Sequence, residues 1–124
     1  MPRKTGKQTG KQGSKNGVTA ADFRRLALSL PETEEKSHMN HPDFRVRGKV
    51  FATLGFPDKN VGMVKLTPET QAMFLAEDPA TFSPCAGAWG LQGATNVRLA
   101  AIHLATLEEA LLQAWRRALP KTMR

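Results

Sequence analysis

Cysteine is nearly missing from this chain: Cys85 is the one thiol in 124 residues. That excludes an intramolecular disulfide and fits a reducing compartment. Tyrosine is absent altogether, so no phenol is on hand as a general acid or base. No apolar run approaches the roughly 18 residues that a membrane-spanning helix needs. The basic N-terminus is not followed by an apolar stretch, as a secretory signal would require, and it lacks the Arg-rich amphipathic stripe of a transit peptide. The expectation is a cytoplasmic protein with no membrane role, associated with the nucleoid if it binds DNA. Acid is missing too: no Asp or Glu precedes Asp22.

What stands at the N-terminus instead is Lys, Arg, Gln, Gly, Ser, Thr and Asn, with Met1 and Pro2 as the exceptions. Such a segment buries too little apolar surface to offset its ordering entropy. Residues 1–17 are therefore expected to be a disordered basic tail, and residues 18–124 the folded domain. The remaining length suffices for one core without disulfides or metals. The net charge of +7 divides unevenly. Arg3, Lys4, Lys7, Lys11 and Lys15 give the tail +5, whereas the body sets 13 basic against 11 acidic residues, for +2. The high pI thus belongs mostly to the tail. A tail of that kind attracts polyanions such as nucleic acid or acidic membrane surfaces, or it serves only as a solubilising extension.

Within the body the apolar periodicity changes several times. Thr19 opens a helix as the first residue of a capping box with Asp22. Phe23, Leu26, Ala27 and Leu30 line its apolar face, and Pro31 stops it. Glu32, Glu34 and Glu35 read as an acidic linker. Phe44 and Val46 alternate with Arg45 and Arg47 in a half-buried strand, and Gly48 turns the chain. Val50 to Gly55 and Val61 to Leu66 are two further strands, separated by the turn formers Pro57, Asp58, Lys59 and Asn60. Thr67-Pro68-Glu69 is a helix start, running to about Glu77. Phe82 to Gly93 reads as a long loop with room for one short strand. Ala94 to Ile102 is a strand. Thr106-Leu107-Glu108-Glu109 resembles a capping box for a last helix, with Leu107, Ala110, Leu111, Ala114 and Ala118 on one face and Pro120 at its end. The expected class is α+β, two layers, in the order α-β-β-β-α-(β)-β-α: an antiparallel sheet with helices on one face.

Several segments in this order resemble the MmcQ/YjbR family of small bacterial proteins. They are Leu28-Ser29-Leu30-Pro31-Glu32-Thr33-Glu34-Glu35, then His41-Pro42-Asp43-Phe44-Arg45-Val46-Arg47-Gly48-Lys49-Val50-Phe51-Ala52. Thr67-Pro68-Glu69 follows, and Ala114-Trp115-Arg116 through Leu119-Pro120-Lys121 closes the match. The resemblance covers about Thr19 to Lys121 and leaves out the tail. It implies a two-layer α+β fold and a DNA-binding role, in which hairpins of the sheet grip double-stranded DNA.

The candidate surface for that role is Arg45, Arg47 and Lys49. Residues 45 and 47 share one face of a strand, and Lys49 joins them past the turn. Lys65 and Arg98 on other strands extend the patch, with the tail cations Arg3, Lys4, Lys7, Lys11 and Lys15 adding phosphate affinity. The alternative is a solvated face that keeps the sheet soluble. Trp89, in the glycine-rich loop, is a candidate to insert beside a base; its large apolar area argues instead for a lid on the core. Trp115 is expected in the core.

Enzymatic chemistry finds little footing. His38 and His41 fit neither a zinc finger nor an i, i+4 pair, so no metal is expected. Nothing places Cys85 beside His103 as thiol and base. Ala86 to Gly93 carries three glycines but no Lys-Ser/Thr, so it is not a P-loop, and the strand-then-helix context of a dinucleotide site is missing. The expectation is a non-enzymatic DNA-binding protein without cofactor, monomer or homodimer. A competing reading is a protein-interaction module resembling the secretion chaperones in fold alone, with no nucleic-acid role.

Overall fold

The computed structural model describes residues 17–124. Its first helix, α1 (Ala20–Leu28), begins where the capping box puts it: the Thr19 hydroxyl accepts from the Asp22 amide, and the Asp22 carboxylate accepts from the Thr19 amide, both at 3.0 Å. These contacts hold the Asp22 carboxyl below the usual carboxylate range, the backbone bond from Thr19 being the largest cause.

Six strands follow: β1 (Thr33–His38), β2 (His41–Val46), β3 (Lys49–Leu54), β4 (Val61–Lys65), β5 (Phe82–Pro84) and β6 (Ala94–Arg98). They form one antiparallel sheet in the order β1-β2-β3-β4-β6-β5. Three more helices intervene: α2 (Pro68–Glu77), α3 (Gly87–Leu91) and α4 (Leu104–Ala118). The α+β class and the antiparallel sheet are as the pattern predicts. No helix among the described residues is long and apolar enough to cross a membrane.

Three elements depart from the sequence reading. The acidic linker is a strand. β1 has the sequence TEEKSH, with no apolar alternation to announce it, because an edge strand can leave its side chains in water. It pairs with β2 through a two-residue turn at Met39 and Asn40, both at positive φ, as a type I′ turn requires. The Phe82–Gly93 segment is not one loop but β5 plus the short helix α3. Finally, α4 starts at Leu104, with His103 as an N-cap that makes no side-chain bond. Leu107 N already donates to His103 O at 3.0 Å, so the chain is helical before it reaches the capping-box words at Thr106. The strand before it ends at Arg98, short of Ile102.

Two cross-strand rows make the core face of the sheet. One runs Phe44, Ala52, Val64 and Thr95; the other runs Leu54, Gly62, Val97 and Phe82. Both rows are buried. The register shifts between Phe44, paired with Ala52, and Arg45, paired with Val50. Phe51 is the extra residue of this bulge, which lets Phe51 and Ala52 be buried side by side. Against this face α1 sets Phe23, α2 sets Phe74 and α4 sets Leu107, Leu111 and Ala114. Gly62 is required there, since a Cβ on it would sit 2.6 Å from the Phe23 ring. Trp115 lies at the rim of the core rather than inside it, and its indole donates to Pro31 O at 3.0 Å.

The folded chain joins the N-terminal segment at Gly17 and Val18. Their amides donate to Ile102 O and Leu99 O, just past the C-terminal end of β6.

Candidate nucleic-acid interface

The strands decide which cations can act together. β2 and β3 meet in a tight turn with Arg47 and Gly48 at positive φ, and β4 runs back toward that same end, where Lys65 closes it. Lys49 and Lys65 therefore share one end of the sheet. Arg98 pairs with Val61 at the other end of β4, roughly 13 Å away along the strand at 3.3 Å per residue. It is exposed and apart from the rest.

Arg45 and Arg47 are already occupied. The Arg45 guanidinium donates through Nε to Asp43 Oδ1 at 2.8 Å and through Nη2 to Asp43 Oδ2 at 3.1 Å. Asp43 is 2% exposed, so the pair is shielded on the acid's side. The bond from Asp43 raises the Arg45 pKa above the usual arginine value. Arg47 faces Glu32, at 3.3 Å, in a far more exposed pair. The open sheet face around Arg45 is thus mixed in charge. Its central row, Asp43, Thr53, Met63, Asn96 and Ser83, has one large apolar side chain, Met63, and that one is buried. A broad apolar patch for docking a protein segment is not found on this row.

Lys65 meets different company. It lines a shallow recess of about 180 Å³ with Leu66, Trp89, Gln92, Ala94 and Arg117. Arg117 also lines an adjoining recess of about 230 Å³ with Thr67, Thr70, Gln113, Arg116 and Arg124. Among the described residues no acidic side chain lines either one. None of Lys49, Lys65, Arg116, Arg117 and Arg124 makes an ion pair among the described residues. Burial, with the charges of Arg117 and Lys49 nearby, pushes the Lys65 ammonium below the ordinary lysine value. A half-buried lysine in that position is partly withdrawn from water and has no ion-pair partner among the described residues.

The C-terminal arginine is held in place by the helix it follows. Arg124 donates from Nε to Leu119 O at 2.9 Å and from Nη2 to Arg117 O at 2.6 Å. These carbonyls at the end of α4 lack helical donors, so a guanidinium is well suited to them.

Trp89 projects from α3 at 65% exposure and is no lid. The Lys65 Nζ lies 5.9 Å from its ring centroid. The helix that carries it is fixed from below. Buried Gln71 of α2 donates to Gly90 O, Ala94 O and Thr95 Oγ1, each at 3.1 Å. A Cβ at Gly90 would overlap the Cys85 carbonyl oxygen, so α3 packs directly on the backbone of the residue that follows β5.

The structure thus brings Lys49, Lys65 and Trp89 to one end of the sheet; Arg47, in the turn and not on the strand, shares that end but pairs with Glu32, Arg45 pairs with Asp43, and Arg98 lies at the other end. It adds Arg116, Arg117 and Arg124, which sequence reasoning missed. Arg3, Lys4, Lys7, Lys11 and Lys15 lie outside the described residues. Cys85 and His103 flank opposite ends of β6. The thiol lies 3.3 Å from Asn96 Oδ1, and burial pushes its pKa up. Among the described residues no group of three or more His, Cys, Asp or Glu is placed to hold a metal ion.

Comparison with known proteins bears on the fold and lineage. A search of curated proteins finds no match. A solved structure of Deinococcus radiodurans protein DR2400, described by its domain DUF419, superposes with a TM-score of 0.68. It is 17% identical and covers 84% of this chain and 83% of its own. At that identity the likeness concerns the fold alone. The model of the YjbR family matches residues 28–117, from the end of α1 through nearly all of α4. The chain belongs to the YjbR family.

Proposed function

We propose that this protein is a non-enzymatic nucleic-acid-binding module that contacts the phosphate backbone of DNA through Lys49, Lys65 and Arg117, with the basic tail adding affinity. The observation that carries this reading is the recess in which Lys65 and Arg117 converge, with no acidic side chain among the described residues that line it. Clustered cations repel one another and weaken the fold unless an anion joins them, so such a cluster favours a polyanionic ligand. Backbone contacts of this kind give little sequence preference and strong salt dependence. The ion-paired Arg45 is a minor contributor in this reading, and Arg47 joins only by leaving Glu32.

Fluorescence anisotropy of the full chain with a labelled duplex tests it. At low salt binding is expected, and log K should fall linearly with log salt. Each phosphate contact adds about 0.9 to the slope. The Lys65→Gln/Arg117→Gln double variant should therefore flatten the slope by about 1.8, while Arg98→Gln at the far end of the sheet changes it less. Absence of duplex binding at tens of micromolar, or a slope indifferent to Lys65 and Arg117, would refute the reading.

A further inference from the structure

The recess differs from a plain basic patch in having an aromatic wall. Trp89 stands at 65% exposure beside Lys65, and the next exposed side chain, Leu91, is 82% exposed. Burying neither costs the fold a large apolar area that is ordinarily covered. Yet α3 is not loose. Gln71 holds the Gly90 carbonyl, the Gln92 amide donates to Ala88 O at 3.0 Å, and Gly90 allows contact with the Cys85 backbone. A large indole held out into solvent on a braced helix, with Lys65 at one side of it, has the form of a stacking platform.

We infer that the recess between α3 and the end of α4 is a subsite for one unpaired nucleotide, its base stacked on Trp89 and its phosphate between Lys65 and Arg117. The inference rests on the nucleic-acid reading above and narrows it to a single-stranded or frayed segment. Three physical points favour an unpaired base. A base inside a duplex shows no open ring face, and exposing one costs a few kcal/mol of unstacking. The recess, at about 180 Å³, suits one phosphate and the edge of one sugar, not the width of a duplex. Stacking is also tolerant of base identity, because each base has a π-face, and this agrees with a recess lined by few polar groups able to read base edges. Gln92 is the one amide on its wall.

Lys65 and Arg117 supply the charge and Trp89 the selectivity for a base over other polyanions. A cation beside an indole also polarises the stack favourably. The neighbouring recess shares Arg117 and adds Arg116 and Arg124, cations suited to a further phosphate.

The test uses the full chain and three probes: a labelled oligothymidylate, a duplex of equal length, and polyphosphate, which has charge but no bases. Trp89→Ala should weaken oligothymidylate binding roughly 5- to 150-fold, the range for loss of one stacked base. Trp89→Phe should retain most of the affinity. Neither change should alter polyphosphate binding. Indole fluorescence gives an independent reading. The wild type should be quenched on adding oligothymidylate, and Trp89→Phe should not, since Trp115 is tied to Pro31 O and stays outside the recess. If Trp89→Ala binds oligothymidylate as tightly as wild type, the stacking subsite is wrong while duplex binding through Lys65 and Arg117 stands. If no nucleic acid binds at all, both readings fall together. Trp89-dependent binding to anionic phosphatidylserine vesicles without oligonucleotide binding would overturn the subsite in favour of a lipid surface.

Discussion

Gln71 is the test of how α3 is held. Its side-chain amide has two hydrogens and lies 3.1 Å from each of three oxygens, Gly90 O, Ala94 O and Thr95 Oγ1. Replacing it by Met removes about two hydrogen bonds while keeping the volume. The acceptors are not left bare: Ala94 O still receives the Cys85 amide at 2.9 Å, Gly90 O the Gly93 amide at 3.1 Å, and Thr95 Oγ1 still donates to Gly93 O at 2.8 Å. The loss should therefore be the net value of two bonds, about 1–3 kcal/mol, and not the larger penalty of orphaned carbonyls. Thermal unfolding by circular dichroism should show it as a Tm lower by roughly 4–8 °C per kcal/mol. Gln71→Glu sharpens the argument. Its carboxylate would face three acceptors with nothing to donate, so its folded pKa must rise above the ordinary value of about 4.3. Between that value and its raised pKa, the folded form binds more protons than the unfolded, and stability falls as pH rises. Near pH 4 the protonated Glu variant, which has one O–H to donate, should be at least as stable as Met, and at pH 8 it should be clearly the weaker of the two. A Glu variant as stable as wild type at pH 8 would refute the claim that Gln71 acts as a donor to three oxygens.

Gly62→Ala places a methyl 2.6 Å from the Phe23 ring, which is fully buried and cannot swing into solvent. Denaturant titration should give a loss of about 1–3 kcal/mol from overpacking, and Phe23→Leu in the same chain should recover part of it. Lys65→Gln is expected to behave oppositely. The folded pKa of Lys65 lies below 10.5, so from that lowered value up to 10.5 the unfolded chain binds more protons and wild-type stability rises with pH. The variant removes that rise and should unfold no more easily than wild type at neutral pH, while binding DNA more weakly; a clear loss of stability at neutral pH would contradict an uncompensated lysine.

Much of the fold is legible wherever a local interaction decides it. Thr19 with Asp22, and Thr67 before Pro68, start helices because their caps act within one turn. β1 is not legible, because its residues answer to pairing with β2 and not to burial. The same division runs through the candidate site. Asp43 and Arg45 are two apart on a strand, so their side chains share a face, and the sequence itself holds the reason why Arg45 is neutralised. Arg47 with Glu32 is a long-range pair that no spacing announces. Arg116 and Arg117 carry a readable signal: the residues three and four before them are Leu112, Gln113 and Ala114, so no acid on α4 stands ready to pair with them. What sequence cannot supply is the docking of that helix end beside Lys65.

The domain's near-neutral charge of +2 also needs reinterpretation. All five ion pairs of the described residues join side chains between Asp22 and Arg47. Acids in that stretch are matched one to one. The eight other cations of the domain, from Lys49 to Arg124, make no ion pair among the described residues, although six acids lie in the same stretch of chain. At physiological salt a charge is felt over about 8 Å. An approaching phosphate therefore responds to the few cations around Lys65 and Arg117 and not to the sum over the domain. A sum of +2 obtained from a paired stretch and an unpaired stretch is compatible with a strongly positive recess.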